Sequence, residues 1–303
     1  MFTVKVSQEK LDEIKTYYHD FLIEAKGEYV YFLANKEGVL ITGYLSKKEN
    51  KKVSFDGKEA YKEASLWDPN IKETEKKVTV KEQWIDLNDQ IGSDEVGVGD
   101  FLLPMIVVAA YIKKSDISLL KKLGVHDSKK LTDAKILEIG EELCSSIEYS
   151  KLTLSNDKYN EMYQKSENIN SLKAKMHNRA LYNLVKEHPE VVGRYVDQFV
   201  NEKKYYDYLN DGNEPQVKDI SFKTKGESYF PCVAAASVIA RYAFLKEKEK
   251  LEAKYGMSFP CGASDKVNQT AKAFLKKFGE AELRKIAKKN FSNYEEVISL
   301  KLL

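Results

Sequence analysis

Apolar residues recur along this chain with two periods, one helical and one typical of strands. Near the N-terminus, a spacing of three and four residues predicts an amphipathic helix that Gly27 would stop. Short alternating runs then predict three strands, and a second helix follows from about Lys58 to Leu66. The first helix is marked by Leu11, Ile14, Tyr18, Leu22 and Ala25, and the strands by Tyr29 to Leu33, Val39 to Leu45 and Lys52 to Phe55.

A charged segment separates this first part from the rest of the chain. It begins with the turn signal Asp68-Pro69-Asn70 and contains few large apolar residues. The chain has 303 residues, which is long enough for two domains. We therefore predict an N-terminal domain over residues 1–67, a linker over 68–86 and a larger domain over 87–303.

The larger part alternates strand and helix patterns, which is typical of an α/β domain with a mixed sheet. Its first two strands are separated only by a glycine-containing turn, so we expect them to pair as a hairpin. The fourth helix is rich in small residues that suit close packing on a sheet, and Pro231 just before it is tolerable only in a first helical turn. The predicted strands are Ile85 to Glu95, Leu102 to Ile112, Ile147 to Leu154, Arg194 to Phe199 and Asp219 to Lys223. The predicted helices are Asp116 to Leu123, Asp133 to Ser145, Ile169 to Glu187, Val233 to Lys254 and Asn268 to Phe278.

Composition narrows the class of protein only slightly. The chain is 43% hydrophobic and 32% charged, as ordinary soluble proteins are, and it lacks an apolar run of about 18 residues. Its first residues have no apolar signal-peptide core. Cys144, Cys232 and Cys261 form no C-x-x-C pair, which predicts reduced thiols in a cytoplasm and argues against zinc. Since the net charge is only +2, nucleic-acid contacts would need local lysine clusters.

The residues richest in chemistry lie between the first two strands of the larger domain. Asp94 and Glu95 are adjacent carboxylates of the kind that bind hard divalent cations. Gly97-Val98-Gly99 follows, and glycines two apart let the main chain approach a phosphate closely. Phosphodiester cleavage by metal ions needs both features. A dinucleotide-binding motif does not fit, because Leu102 occupies the place of its third glycine and two acids precede the turn.

Two further acids fall at predicted element ends. Asp197 lies in an apolar strand, where an unpaired acid is costly, and Glu227 comes shortly before the alanine-rich helix. Sites of α/β sheets form at such an edge, so four carboxylates there could hold two Mg²⁺ roughly 4 Å apart. Taken singly, Asp197 is equally well explained as a satisfied buried acid, and Glu227 as a charge at a helix N-terminus.

Six motifs in this order resemble those of type 2 ribonucleases H, and specifically their ribonuclease HIII branch. A glutamate as fourth acid, at Glu227, is typical of that branch. The resemblance implies a ribonuclease H-like mixed sheet flanked by helices, and a small N-terminal α+β domain with a TATA-binding-protein-like fold that helps to grip the substrate. The motifs are Asp94-Glu95-Val96-Gly97-Val98-Gly99-Asp100, Asp127-Ser128-Lys129-Lys130-Leu131, His177-Asn178, Asp197-Gln198-Phe199, Thr224-Lys225-Gly226-Glu227 and Ala234-Ala235-Ala236-Ser237-Val238-Ile239-Ala240-Arg241.

The resemblance also implies an activity, the endonucleolytic cleavage of RNA in an RNA–DNA hybrid with Mg²⁺ or Mn²⁺. The products would carry a 5′-phosphate and a 3′-hydroxyl. Asp94 would bridge two metal ions, and the other three acids would complete their coordination. The main chain at Gly97, Val98 and Gly99 would detect the ribose 2′-hydroxyl, which separates RNA from DNA. We expect a monomer without membrane contact, whose phosphate-binding residues are Ser128, Lys129, Lys130 and Lys225.

Some features depart from the pattern or leave alternatives open. Val98 stands where the family often has a hydroxyl-bearing residue. Two other functions stay open, a ribonuclease HII-like enzyme that cuts at single embedded ribonucleotides and a non-catalytic hybrid-binding protein. We interpret His177 as structural, with a hydrogen bond to the backbone, rather than as a base. The remaining lysine group either follows phosphates or only solubilises a turn; it comprises Lys47, Lys48, Lys51 and Lys52.

Overall fold

The computed structural model describes residues 2–25, 29–45, 51–71, 84–163, 168–210 and 215–299. The chain divides into two compact units, residues 1–80 and 81–303. Most of the predicted linker lies outside the described residues, as do Gly27, Lys47 and Lys48. At the described ends of the linker, Ile71 packs on the core of the first unit and Trp84 on that of the second.

The first unit is a five-stranded antiparallel sheet with two helices. The strand order is β1-β5-β4-β3-β2. The helix α1 begins after Ser7, whose hydroxyl accepts a hydrogen bond from Lys10 N–H at 3.2 Å. In chain order, the elements are β1 (Phe2–Val6), α1 (Gln8–Tyr17), β2 (Leu22–Ile23), β3 (Val30–Lys36), β4 (Val39–Tyr44), β5 (Lys51–Asp56) and α2 (Ala60–Ser65).

The first predicted helix is too long. The observed helix α1 ends at Tyr17, and a 3₁₀ turn over His19–Phe21 leads into β2. Tyr18 is buried and donates a 2.6 Å hydrogen bond to Glu63, whereas Leu22 is exposed and pairs with Ala34 in the sheet. Tyr18 and Leu22 continue the apolar spacing of the helix, although both lie after its last residue. This continued spacing is why the predicted helix is too long. The strand β1 was not predicted.

The second unit is built on a mixed five-stranded sheet in the order β10-β9-β6-β7-β8. The strand β7 runs antiparallel to both of its neighbours, β6 and β8, so the predicted hairpin of β6 and β7 is present, and β9 and β10 run parallel to β6. The predicted fold class, α/β with a mixed sheet together with a small N-terminal α+β unit, is confirmed. The strands are β6 (Gln90–Val96), β7 (Met105–Ile112), β8 (Glu148–Leu154), β9 (Gly193–Asp197) and β10 (Ser221–Lys223).

Helices cover both faces of this sheet. The helix α8 packs on β6 and β7 from one side, and α6 packs on the same strands from the other. All eight residues of β7 are consequently buried. A side chain at Gly92 would bring its Cβ within 2.4 Å of Cys232 Sγ, so glycine permits the close approach of α8. The helices are α3 (Ile117–Lys122), α4 (Asp133–Ser146), α5 (Asn156–Tyr163), α6 (Ile169–Glu187), α7 (Glu202–Tyr208), α8 (Pro231–Tyr255), α9 (Asp265–Ile286) and α10 (Ser292–Ser299).

Several predicted bounds differ from those observed. The strand β6 starts at Gln90 rather than Ile85, because Asp86 forms a turn with Asn88. Pro231 is the first residue of α8, which is in the first helical turn, where a proline is tolerated. The helix α9 starts earlier than predicted, at Asp265, and it is kinked at the non-helical Gly279, directly after the predicted end at Phe278. The short helices α5, α7 and α10 were not predicted. In the described ranges, no helix is both long and apolar enough to cross a membrane.

Candidate active site

The four predicted acids lie at one edge of the mixed sheet. Ser93 pairs with Val196, so Asp94 and Asp197 are the next residues on two neighbouring parallel strands. Gly226 N–H donates a 2.9 Å hydrogen bond to Asp197 Oδ1. This contact sets the short 3₁₀ helix Gly226–Ser228, which contains the buried Glu227, against the end of β9. Asp94, Glu95, Asp197 and Glu227 are called the acid edge below.

Asp94 is buried on the side of the sheet that α8 covers. Its carboxylate accepts a 2.7 Å hydrogen bond from Glu95 N–H and a further one from the Ser237 hydroxyl. Burial raises the pKa of Asp94 well above its usual value, and the nearby charges of Glu95 and Asp197 raise it further. The site therefore concentrates negative charge where nearby positive charge would be favourable.

Glu95 has the opposite electrostatic environment. Its carboxylate forms an ion pair with Lys173 and lies 2.9 Å from His177 Nε2, both on α6. Burial alone would raise the pKa of Glu95, but His177 and Lys173 lower it below its usual value. Adjacent strand residues point to opposite faces, so the two neighbouring acids contact different helices.

His177 is fully buried and holds two side chains rather than the backbone. Its Nδ1 lies 2.7 Å from Ser93 Oγ, and its ring stacks on Phe199 at 5.3 Å. The predicted backbone hydrogen bond is replaced by the contacts with Ser93 and Glu95. An Nε2–H that donates to Glu95 leaves Nδ1 free to accept from the serine. These contacts fix the direction of the Glu95 carboxylate.

The sequence reasoning missed Lys173. Its side chain is only 8% exposed, in a helix whose apolar face packs on the sheet. Lys173 and His177 are four residues apart, which places them on the same face of α6. A lysine at a buried helix position needs a charge partner. The place of Lys173 on the apolar face of the predicted helix was therefore the sequence signal that could have identified it.

The glycine-rich motif opens a turn over residues 97–104. Gly97 has φ +86°, and an added Cβ would lie 2.0 Å from Pro104 O, so only glycine fits there. Gly99 is exposed, and a Cβ added to it would meet no atom within 4 Å. Val98 packs on a small apolar cluster that contains Met105 and Leu172. This packing gives a physical reason for an apolar residue at position 98.

The predicted phosphate-binding residues are spread around the acid edge. Ser128 lines a cavity of about 230 Å³ together with Glu95 and Ser237. Lys130 is exposed on the same 3₁₀ helix as Ser128. Lys225, which directly precedes Gly226, is exposed and has a φ of +60°. The side chain of Lys129 is outside what the structure describes.

The acid edge has the donor chemistry for a divalent cation. Carboxylate oxygens are the ligands that hard cations prefer, and the raised pKa of Asp94 marks uncompensated negative charge. Across the described ranges, however, no three Asp, Glu, His or Cys side chains are arranged to hold a metal ion as they stand. The acids already have protein partners, as Glu95 has in Lys173 and Asp197 in the Gly226 N–H.

Models of two protein families match this chain, one in each unit. The family model described as Ribonuclease HII matches residues 91–294, which contain the whole acid edge. The model described as a domain of unknown function (DUF3378) matches residues 2–80. The mixed sheet, the acid edge and the first of these matches together define the class, a ribonuclease H of type 2.

Individual relatives are more specific. The ribonuclease HIII of Bacillus mycoides (strain KBAB4) is 38% identical and covers 98% of this chain and 97% of its own length. That of Bacillus cereus (strain ATCC 14579) is 37% identical with the same coverage. The crystal structure of Bst-RNase HIII in complex with Mn²⁺ matches with a TM-score of 0.69 at 29% identity, over 99% of this chain and 98% of that one. The chain therefore belongs to the ribonuclease HIII family. Both the predicted family and the predicted enzyme class, an endonuclease and hydrolase, are confirmed.

Proposed function

We propose that this chain cleaves the RNA strand of RNA–DNA hybrids by two-metal-ion catalysis and leaves 5′-phosphate and 3′-hydroxyl ends. The observation that carries the proposal is Asp94, a buried acid with a raised pKa, beside Asp197 and directly before a turn that exposes glycine main chain. The relative solved with Mn²⁺ supports the use of Mg²⁺ or Mn²⁺. The proposed ligands are Asp94, Glu95, Asp197 and Glu227.

The cations, once bound, would activate a water molecule and stabilise the leaving oxygen. The protein's own contribution is to fix the carboxylates. Lys173 and His177 hold Glu95 from one face of the sheet, and the Gly226 N–H holds Asp197 from the end of β9. Pre-organised carboxylates need little rearrangement when a substrate phosphate arrives.

The turn would provide the choice of RNA over DNA. Main-chain groups at Gly99 can approach a ribose closely, because among the described residues no atom beyond its chain neighbours lies within 4 Å of an added Cβ. A 2′-hydroxyl can both donate and accept a hydrogen bond, so backbone groups are sufficient to detect it. Val98 would add no side-chain hydrogen bond, since it packs inward.

Other residues would read shape rather than base sequence. Ser128, Lys129, Lys130 and Lys225 would contact phosphates, which carry no sequence information. The N-terminal unit would help to grip the hybrid. Its exposed Lys52 has its Nζ 5.1 Å from the centroid of the Tyr44 ring, a surface that suits a nucleic-acid backbone. The binding role and the TATA-binding-protein-like fold of this unit both stay predictions.

Asp197→Asn tests the proposal directly. The substitution keeps an acceptor for the Gly226 N–H but removes a charge from the acid edge. We expect hybrid cleavage to fall by roughly a thousandfold or more, while hybrid binding persists. The control is Glu148→Gln, an exposed acid on β8 that contacts His188. Undiminished cleavage by Asp197→Asn would contradict the assignment of the metal ligands.

A second candidate is a ribonuclease HII-like enzyme, because the family model that matches the catalytic unit carries that description. Such an enzyme would cut a DNA duplex at a single embedded ribonucleotide. Cleavage of this duplex and of a long hybrid should be compared side by side, with Mg²⁺ and Mn²⁺ in turn. Cutting of the hybrid alone supports the first function, and efficient cutting of both supports the second.

A further inference from the structure

Lys288 lies between α9 and α10 and is completely buried, with 0% exposure. Burial lowers the pKa of its ammonium group to about 7, and only the carboxylate of Asp100 opposes this effect. A buried amine is costly unless its N–H groups all find acceptors. The acceptors of Lys288 therefore show what this residue stabilises.

All three acceptors belong to the turn over residues 97–104. The Lys288 Nζ donates to the main-chain oxygens of Gly97 at 2.9 Å, Asp100 at 2.5 Å and Leu103 at 2.6 Å. An ammonium group has three N–H donors, so the three carbonyls match it in number. One side chain thus connects the beginning, the middle and the end of the turn.

Further hydrogen bonds from main-chain N–H groups hold the same turn. Lys288 N–H donates to Phe101 O at 3.0 Å, and Phe101 N–H donates to Gly262 O at 3.0 Å. Gly262 N–H donates in turn to Asp100 Oδ1 at 2.5 Å. The turn is therefore held by segments that lie more than 150 residues later in the chain.

These contacts lie on the inner side of the turn, and the outer side stays accessible. At Gly97 an added Cβ would collide with Pro104 O, whereas beside Gly99 there is free space. Without Lys288, three buried carbonyls would lose a donor, and the turn could relax into the space at Gly99. The position of the Gly99 main chain thus depends on the buried ammonium group.

We propose that Lys288 is a positioning residue that holds the Gly97–Gly99 main chain in the conformation that selects a ribose over a deoxyribose. It touches neither the acid edge nor the substrate, and it acts through the shape of the turn. The inference rests on the proposed function, because it assigns part of the hybrid selectivity of that same site to Lys288.

Lys288→Met tests this role in the full chain. Methionine has a similar length but no donor, so it should fill the space and release the carbonyls. Selectivity is the inhibition constant of a DNA duplex divided by the KM for a hybrid of the same sequence. We expect this ratio to fall about tenfold, the effect of one lost hydrogen bond to the 2′-hydroxyl. Lys288→Gln, with two donors, should give an intermediate ratio.

The matched control is Leu283→Ala, a fully buried residue of α9 whose truncation destabilises the fold without removing a donor from the turn. Its selectivity ratio should equal that of the wild type once activity is corrected for the folded fraction. An unchanged ratio in Lys288→Met would overturn the proposal, as would an equal fall in Leu283→Ala. Failure of both Lys288 variants to fold would assign this lysine to stability alone and would also overturn it.

The wild type separates this inference from the proposed function. If the wild type neither cleaves the hybrid nor prefers it to the DNA duplex, the proposed function itself fails. If the wild type is selective and Lys288→Met is equally selective, only the role of Lys288 fails.

Discussion

The acid edge and the turn over residues 97–104 are adjacent, but different forces hold them. At the acid edge, side-chain charges dominate, because Glu95 is paired with Lys173 while Asp94 is buried among other carboxylates. In the turn, three main-chain carbonyls accept hydrogen bonds from the Lys288 ammonium group. All three acceptors are carbonyl oxygens, and none is a carboxylate. One region is organised by charge and the other by shape.

This difference indicates how each region can be disrupted. A substitution that removes charge but keeps shape should disable the acid edge and leave the turn intact. A substitution that adds a methyl group without charge should have the reverse effect. The two kinds of variant therefore separate chemistry from substrate recognition.

The largest effect is expected from Asp94→Asn. The amide keeps the size of the side chain but removes a buried charge from the acid edge. Hybrid cleavage should fall by roughly a thousandfold or more. Steady-state cleavage over a range of metal concentrations measures the loss, and full activity at high metal concentration would show that Asp94 acts in metal affinity alone.

The stability of the same variant sharpens the contrast with its neighbour. In a chelating buffer at neutral pH, Asp94→Asn should raise the free energy of unfolding, because it removes a carboxylate whose pKa burial raises. Glu95→Gln should lower it by about 3 kcal/mol, because Lys173 would be left buried without its charge partner. Denaturant titration measures both changes, and shifts of the same sign would contradict the contrast.

How much of this site could be predicted depends on how local its signals are. Helix α6 has the predicted bounds, Ile169 to Glu187, because apolar residues recur at helical spacing along it and Asn168 caps its start. The acids were found because strand ends and helix starts mark the edge of a sheet. The strand β7 starts at Met105 and not at Leu102, because the turn uses residues 101–104 for contacts that no local pattern encodes.

The two buried lysines show where sequence reasoning ends. Lys173 could have been suspected, since it interrupts an apolar helix face four residues before His177. Lys288 gave no such signal, because its partner Gly97 is 191 residues away in sequence. A lysine in a short connecting segment has the sequence appearance of a solvated residue, and only the folded chain shows that it is buried.

The turn is tested next, by the pair Gly97→Ala and Gly99→Ala. The first should destabilise the protein by about 2 kcal/mol or more, because φ is positive and Pro104 O lies 2.0 Å from the added Cβ. The second should change stability by less than about 0.5 kcal/mol, since the added methyl group meets no protein atom. Its kcat/KM for the hybrid should nevertheless fall by up to roughly a hundredfold, because the methyl group displaces the substrate.

Thermal unfolding and hybrid cleavage are measured on both glycine variants. Gly99→Ala is its own control for folding, since the expected effect is a loss of activity at unchanged stability. If Gly99→Ala cleaves the hybrid as well as the wild type, the accessible side of the turn does not face the substrate. If Gly97→Ala is as stable as the wild type, the turn is not held rigidly by its inner contacts.

The last prediction is a pH slope in stability that distinguishes the turn from the acid edge. Burial lowers the pKa of Lys288 to about 7 from its usual 10.5, so between these values the unfolded chain binds a proton that the folded chain does not. The free energy of unfolding of the wild type should therefore rise with pH relative to Lys288→Met, by up to about 1.4 kcal/mol per pH unit in that window. Below about pH 6 the difference should be constant, because both states then hold the proton.

Denaturant midpoints of the two proteins between about pH 6 and about pH 9 measure the slope, with Leu283→Ala as a control that removes no titratable group. A flat difference across this range would mean that the three carbonyls keep Lys288 protonated, so that the turn is held by a full charge throughout.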